Sequence, residues 1–280
     1  MTNHRIRLIA SDLDGTLLRA DKTITERTAE TIRTATASGL FVVAATGRQY
    51  PQVPTELESA GLSHIVGSNG AIAVELPSRR VLFEELLSPS AIEPIVAFLD
   101  AELPEARVSA VRDHGARHAA APGYADLLTP MERDKYWWHI DTEPLAAVIG
   151  EPTLKLTVRH PRLDAEQLRT MLSSSGLSGF HATTSGAPFL EIGGAGVTKA
   201  TGVSRLCELL GVSPCEVLAA GDARNDLELI DWAGIGVAVG NADPATIAAA
   251  DWVTASNEQD GVALAIETVL AQENRHEPVS

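Results

Sequence analysis

Four stretches of the chain place polar, chemistry-bearing residues directly behind apolar runs. Asp12 and Asp14 follow Ile6–Ala10, Thr46 follows Leu40–Ala45, Asn69 follows His64–Val66, and Asp222 follows Val217–Ala220. If these runs are neighbouring parallel strands, their carboxyl ends form the crevice in which open α/β sheets bind ligands. Carboxylates gathered at one such edge repel each other and raise each other's pKa values unless they share a cation. Mg²⁺ meets that need with hard oxygen ligands, usually one or two carboxylates completed by waters and a substrate phosphate. Any one strand-end Asp is an ordinary turn former or helix cap. The whole set, at successive strand ends, points to metal and phosphate chemistry.

The elements that must position these residues can be read from the pattern. Thr23-Ile24-Thr25-Glu26 fits a capping box that opens a helix running to about Ser38, with Gly39 just past its end. Strand, helix and the apolar run Leu40–Ala45 make a βαβ unit, which implies a parallel sheet. Between about Phe83 and Pro188 the texture changes. Helical stretches (Ala91–Glu102, Asp164–Ser174) mix with β-like runs (Arg107–Val111, Thr153–Val158), and prolines punctuate the segment. Alternation then resumes with a helix over Lys199–Leu210, the strand Val217–Ala220, a helix from about Asp226, the strand Ile235–Val239, a helix over Pro244–Ala250, a short strand at Trp252–Thr254 and a closing helix over Gly261–Ala271. The expected fold class is α/β: a Rossmann-like parallel-sheet core in two parts, 1–83 and 189–280, with an α+β cap inserted at 84–188.

Composition narrows the partners. The 280 residues carry 22 Lys+Arg against 37 Asp+Glu, a net charge of −15. A field of that sign repels nucleic acid and anionic membranes, so neither is expected as a partner. An anionic ligand would need a bound cation or a local lysine to offset the field. No segment approaches the roughly 18 uninterrupted apolar residues of a membrane span. Two cysteines, Cys207 and Cys215, are too few for a disulfide framework and lie in no CxxC pair, so a reducing, cytoplasmic setting is expected.

Asp12-Leu13-Asp14-Gly15-Thr16, Thr46-Gly47-Arg48, Lys199 and Gly221-Asp222-Ala223-Arg224-Asn225-Asp226 resemble, in order, the four motifs of the haloacid dehalogenase-like phosphatases. Ser68-Asn69-Gly70-Ala71, Gly196-Val197-Thr198-Lys199 and Ser256–Val262 are similar to the Cof-type subfamily, whose insert lies between the second and third motifs. The resemblance spans the core at both ends of the chain. In the insert only position and size match.

That resemblance implies a Mg²⁺-dependent phosphomonoester hydrolase acting on a small phosphorylated metabolite, with sugar phosphates the first class to expect. Asp12 would be the nucleophile that forms an aspartyl-phosphate, a role suited to a carboxylate because it is ionised at neutral pH without a base. Asp14 would act as general acid and base and lend its backbone carbonyl to the metal. Lys199 would pair with Asp12 and the phosphate. Thr46, Gly47 and Asn225 would donate hydrogen bonds to the phosphoryl oxygens. The implied acidic set around Mg²⁺ is Asp12, Asp14, Asp222 and Asp226, with Asp226 holding the metal's waters or Lys199 from behind. The cap would act as a lid, and Lys155, Arg159, Trp137 and His139 are its candidate leaving-group residues, although Trp137 and Trp138 also suit a cap core.

Two other functions use the same nucleophile: a phosphomutase or phosphotransferase, and a non-enzymatic phosphoacceptor of the receiver kind. The large insert and a nucleophile on the first strand count against the latter. Other motifs fail on spacing. Asp12-Leu13-Asp14-Gly15 is no EF-hand, since its Gly comes too early and Thr23 occupies the twelfth position. His114 and His118 have helical spacing for a zinc pair, but Gly115 argues against a helix there and no third ligand is near.

Overall fold

Strand β1 (Leu8–Ser11) turns Leu8 and Ala10 to one side and Ile9 to the other, and all three are fully buried. A strand apolar on both faces belongs inside a sheet that is covered by helices on both sides. The computed structural model, which describes residues 5–76, 78–130, 132–133 and 140–273, has that arrangement.

Beside β1 lie β2 (Phe41–Ala45) and β3 (His64–Gly67), followed by β4 (Ile72–Glu75) and β5 (Arg80–Glu84). On its other side lie β12 (Val217–Gly221), β13 (Ile235–Ala238) and β14 (Trp252–Val253), which gives the order β14-β13-β12-β1-β2-β3-β4-β5. The strands from β14 to β3 are parallel. Ile9, Val42, Ala44, Leu218 and Val237 pack with residues of the Glu26–Ala37 and Gly261–Glu273 helices on one face. Leu8, Val43, Val66 and Ala219 pack with the Lys199–Leu210 helix on the other. The expected α/β core is therefore present.

Three local readings need correction. The first helix is capped by Thr25, whose side chain accepts from the Thr28 amide, so it begins at Glu26 and the Thr23–Glu26 box is not used. The core sheet is not purely parallel. β4 joins antiparallel to β3 and β5 antiparallel to β4, because the few residues linking each pair can connect only antiparallel neighbours. The return to the core also comes later than residue 189, since Leu190–Gly194 is a strand of the second sheet.

That second sheet contains β6 (Arg107–Arg112), β7 (Arg117–Ala120), β8 (Ile140–Thr142), β9 (Lys155–Arg159), β10 (Phe180–Thr183) and β11 (Leu190–Gly194), in the order β10-β11-β9-β6-β7-β8. Its Val108, Leu156, Val158, Leu190 and Ile192 pack against the helices Pro89–Glu102 and Ala165–Ser173. A small cluster that includes Ile72, Val74, Val111 and Leu154 joins the two units.

One turn fixes two elements of the site at once. Gly70 has φ +102°, and a β-carbon there would collide with the Thr198 carbonyl at the start of the Lys199–Leu210 helix. Gly70→Ala is expected to cost about 3 kcal/mol or more. Chemical denaturation would measure the loss, and an unchanged midpoint would contradict this contact.

Candidate active site

Asp12 continues β1, its amide donating to Ala220 O at 2.9 Å. Lys199 is the first residue of its helix, placed there by a Thr198–Thr201 capping box. Its ammonium lies 2.7 Å from Asp12 Oδ1 and 2.6 Å from Asp226 Oδ1, with all three side chains buried. Asp226 Oδ2 accepts from the amides of Asp222 (3.0 Å) and Ala223 (3.1 Å), so this carboxylate holds both the lysine and the turn behind β12. Asp222 Oδ1 accepts from Thr16 Oγ1 at 2.6 Å. Gly15, at φ +83°, lets the turn approach, since a β-carbon there would sit 2.5 Å from Asp222 Oδ2.

Asp12, Asp222 and Asp226 each offer an oxygen within 4.8 Å of the others, the one such group of three among the described residues. Burial, with Asp226 and Asp222 adding to it, pushes the Asp12 carboxyl up to about 8 against the pull of Lys199. Asp222 is likewise raised, by burial first and then by Asp226. Burial alone would lower Lys199, yet Asp12 and Asp226 hold it above the ordinary lysine range. One ammonium does not neutralise three carboxylates. The donor set therefore fits a hard divalent cation, which would relieve the remaining repulsion.

Asp14 is placed differently. Its side chain is outside that group and is gripped by Arg48, through Nε (2.5 Å) and Nη2 (2.7 Å), and by Lys22 at 2.8 Å. Burial would raise its pKa, but the hydrogen bonds from Arg48 and Lys22 prevail and bring it down to about 2. An acid whose folded pKa lies below its ordinary value stabilises the fold above that value, and the contribution disappears as pH falls through the folded pKa. For Asp14 this window runs from about pH 4 down to about 2. Arg48→Ala should move the Asp14 titration upward, as read by carboxyl NMR, and should weaken this acid-limb stabilisation. A titration left in place would contradict the clamp.

The predicted phosphoryl donors are brought together beside this group. Thr46 Oγ1 accepts from the Arg48 amide at 3.1 Å, and Thr46 O accepts from the Asn69 amide at 3.0 Å. Asn225 Nδ2 donates to Asn69 Oδ1 at 3.0 Å, and that oxygen lies 3.1 Å from where a β-carbon on Gly47 would sit. Asn225 Oδ1 is buried without a hydrogen-bond partner.

Of the insert's candidates, Lys155 reaches the core, donating to Gly47 O at 2.7 Å. Arg159 stays within its own unit, paired with Glu132 and Tyr124 and set over the Tyr124 and Phe189 rings. Trp137, Trp138 and His139 lie outside the described residues. His114 occupies a tight turn beside Glu84 and His118 lies on β7, so the two share no helix. Cys207 and Cys215 are free thiols. Among the described residues no helix is long and apolar enough to cross a membrane.

Sequence reasoning missed Lys22 and Glu191. Lys22 meets Asp14 across a turn and Glu191 pairs with Lys155 on the neighbouring strand of the second sheet, and neither stands in a motif.

A carboxylate cluster that could hold a cation, together with a buried lysine, lies at the carboxyl ends of an α/β sheet covered by helices on both faces. A model of the haloacid dehalogenase-like hydrolase family matches residues 9–266, and the chain belongs to that family. It is 31% identical to the phosphoglycolate phosphatase of Natronomonas pharaonis, over 95% of this chain and 98% of that one. It is 30% identical to the 5-amino-6-(5-phospho-D-ribitylamino)uracil phosphatase YitU of Bacillus subtilis, over 91% and 94%. Among solved structures, BT1666 of Bacteroides thetaiotaomicron, a phosphatase of the same superfamily, superposes with a TM-score of 0.79 at 24% identity, over 95% of this chain and 96% of that one. That likeness bears out the fold.

Proposed function

We propose that the protein is a Mg²⁺-dependent phosphomonoester hydrolase of small phosphorylated metabolites, working through an aspartyl-phosphate on Asp12. The observation that carries this reading is the 2.7 Å contact of Lys199 with Asp12 inside the three-carboxylate cluster. Asp12 attacks phosphorus in line. Lys199 orients its carboxylate and faces the incoming negative charge. Thr46, Gly47 and Asn225 donate to the phosphoryl oxygens as charge shifts in the transition state. Asp14, once released by Arg48 and Lys22, protonates the departing alkoxide and then takes a proton from the hydrolytic water. Asp12 and Asp222, with the Asp14 carbonyl, would hold Mg²⁺, whose chemistry is to neutralise charge between carboxylate and phosphate. Asp226 sets Lys199 and the 222–223 turn.

The second unit is read as the cap that covers this edge. The relatives' names point to chemically different phosphate monoesters, which supports a small organic phosphate, a sugar phosphate first, without selecting one. Free thiols at Cys207 and Cys215 support a cytoplasmic setting.

Phosphate release would be screened over sugar phosphates, nucleotides and cofactor phosphates, with Mg²⁺ and with EDTA. Turnover that EDTA abolishes and Mg²⁺ restores is the expected result. Turnover indifferent to EDTA would contradict the metal assignment. Isomerised sugar in place of free phosphate would favour a mutase.

A further inference from the structure

Along β9, Leu156 and Val158 face the helices of the second unit, which leaves Lys155, Thr157 and Arg159 on the opposite face. On β11, Leu190 and Ile192 face those helices and Glu191 does not. Polar side chains on the uncovered face of an antiparallel sheet normally meet water. Yet Lys155 and Glu191 are each only 2% exposed. The loop behind β2 covers them. Lys155 donates to Gly47 O at 2.7 Å and is ion-paired with Glu191, whose second oxygen accepts from Ser185 Oγ at 2.5 Å. Glu191 Oε1 and Ser185 Cβ both lie 3.5 Å from where a β-carbon on Gly47 would be.

The Gly47–Arg48 peptide is thereby held at both ends. Its N–H donates to Thr46 Oγ1 within the core, and its C=O accepts from Lys155 of the other unit. A buried ion pair is weak evidence of stabilisation, because apolar residues of the same volume often serve packing as well or better. The catalytic steps above do not use this pair. Its geometry assigns it another task.

We propose that Lys155, held by Glu191, is a positioning residue that fixes the Gly47 peptide from the second unit and so sets the phosphoryl-binding loop in its working shape. This rests on the phosphatase reading and adds to it a dependence of the phosphoryl subsite on contact between the two units. Lys155 here touches a backbone carbonyl of the loop, so its loss should fall equally on every ester, whatever the leaving group.

The test is the double variant Lys155→Met/Glu191→Leu, which removes both charges and avoids stranding one of them. Three readouts are thermal unfolding, binding of inorganic phosphate by calorimetry in Mg²⁺, and kcat/KM on three esters with leaving groups of different size. The expected result is a folded protein with phosphate affinity down about tenfold and kcat/KM down about 10²-fold on all three esters, the scale of an ångström-level misplacement. Glu191→Gln, which keeps the shape, should give the same uniform pattern at smaller size and serves if the double variant does not fold. Unchanged phosphate affinity and turnover would make the pair a packing feature and overturn the proposal. A loss that tracks leaving-group size would overturn it in favour of direct substrate contact. Phosphate binding does not depend on turnover. A wild-type chain that hydrolyses no ester therefore sinks the phosphatase reading, while unaltered phosphate affinity in the variant sinks this one.

Discussion

Asp12→Asn is expected to lower phosphate release by about 10⁴-fold or more, because an amide of the same shape cannot replace the proposed carboxylate nucleophile in attacking phosphorus. The same change should leave the metal-free protein as stable as the wild type at neutral pH, or more so. Burial pushes the Asp12 carboxyl up to about 8, with Asp226 and Asp222 adding to it. An acid whose folded pKa lies above its unfolded value penalises the fold increasingly as pH rises from the unfolded value to the folded one. The metal-free wild type should therefore lose stability between about pH 4 and pH 8, and the variant should show a flatter profile. Thermal unfolding across that range, beside a phosphate-release assay, checks both halves. Retained turnover would refute the nucleophile, and a variant that melts well below the wild type would refute the charge argument.

The largest expected loss of stability is Lys199→Met. It leaves Asp12 and Asp226 buried and facing each other without their shared cation, and stranding a buried charge in this way costs about 3–5 kcal/mol. Protonation of one carboxyl offsets part of that cost, so the deficit should grow as pH rises. Mg²⁺ should recover some of it by binding the folded state alone. Activity should fall with stability, since in the proposed mechanism the lysine also orients the attacking carboxylate. Urea unfolding at pH 6 and pH 8, with and without Mg²⁺, measures the effect. A variant as stable as the wild type at both pH values would contradict the buried triad.

Much of this site was legible in the sequence because its residues stand where apolar runs stop. Leu8–Ser11, Phe41–Ala45, His64–Gly67 and Val217–Gly221 are short, apolar and adjacent in one sheet, so Asp12, Thr46, Asn69 and Asp222 reach the same edge. The Lys199–Leu210 helix announces itself by a Thr cap and an apolar stripe. The β4–β5 hairpin was not legible, since Ile72–Glu75 carries no signal that separates an antiparallel extension from another parallel strand. The Asp14 clamp was half visible. Arg48 belongs to a motif, whereas Lys22 reaches Asp14 across eight residues from a backbone with φ +68°. Leu190-Glu191-Ile192 alternates as a strand should, but a lone glutamate in such a run gives no sign that its partner is a buried lysine on a neighbouring strand of the second sheet. That information is tertiary.

Rapid acid quench during turnover of a hydrolysed ester, followed by peptide mass spectrometry, tests the mechanism at its centre. A phosphoryl group should appear on the peptide carrying Asp12, reducible by borohydride to homoserine at that position. Steady hydrolysis with no phosphoryl group on Asp12 at any quench time would contradict the covalent route.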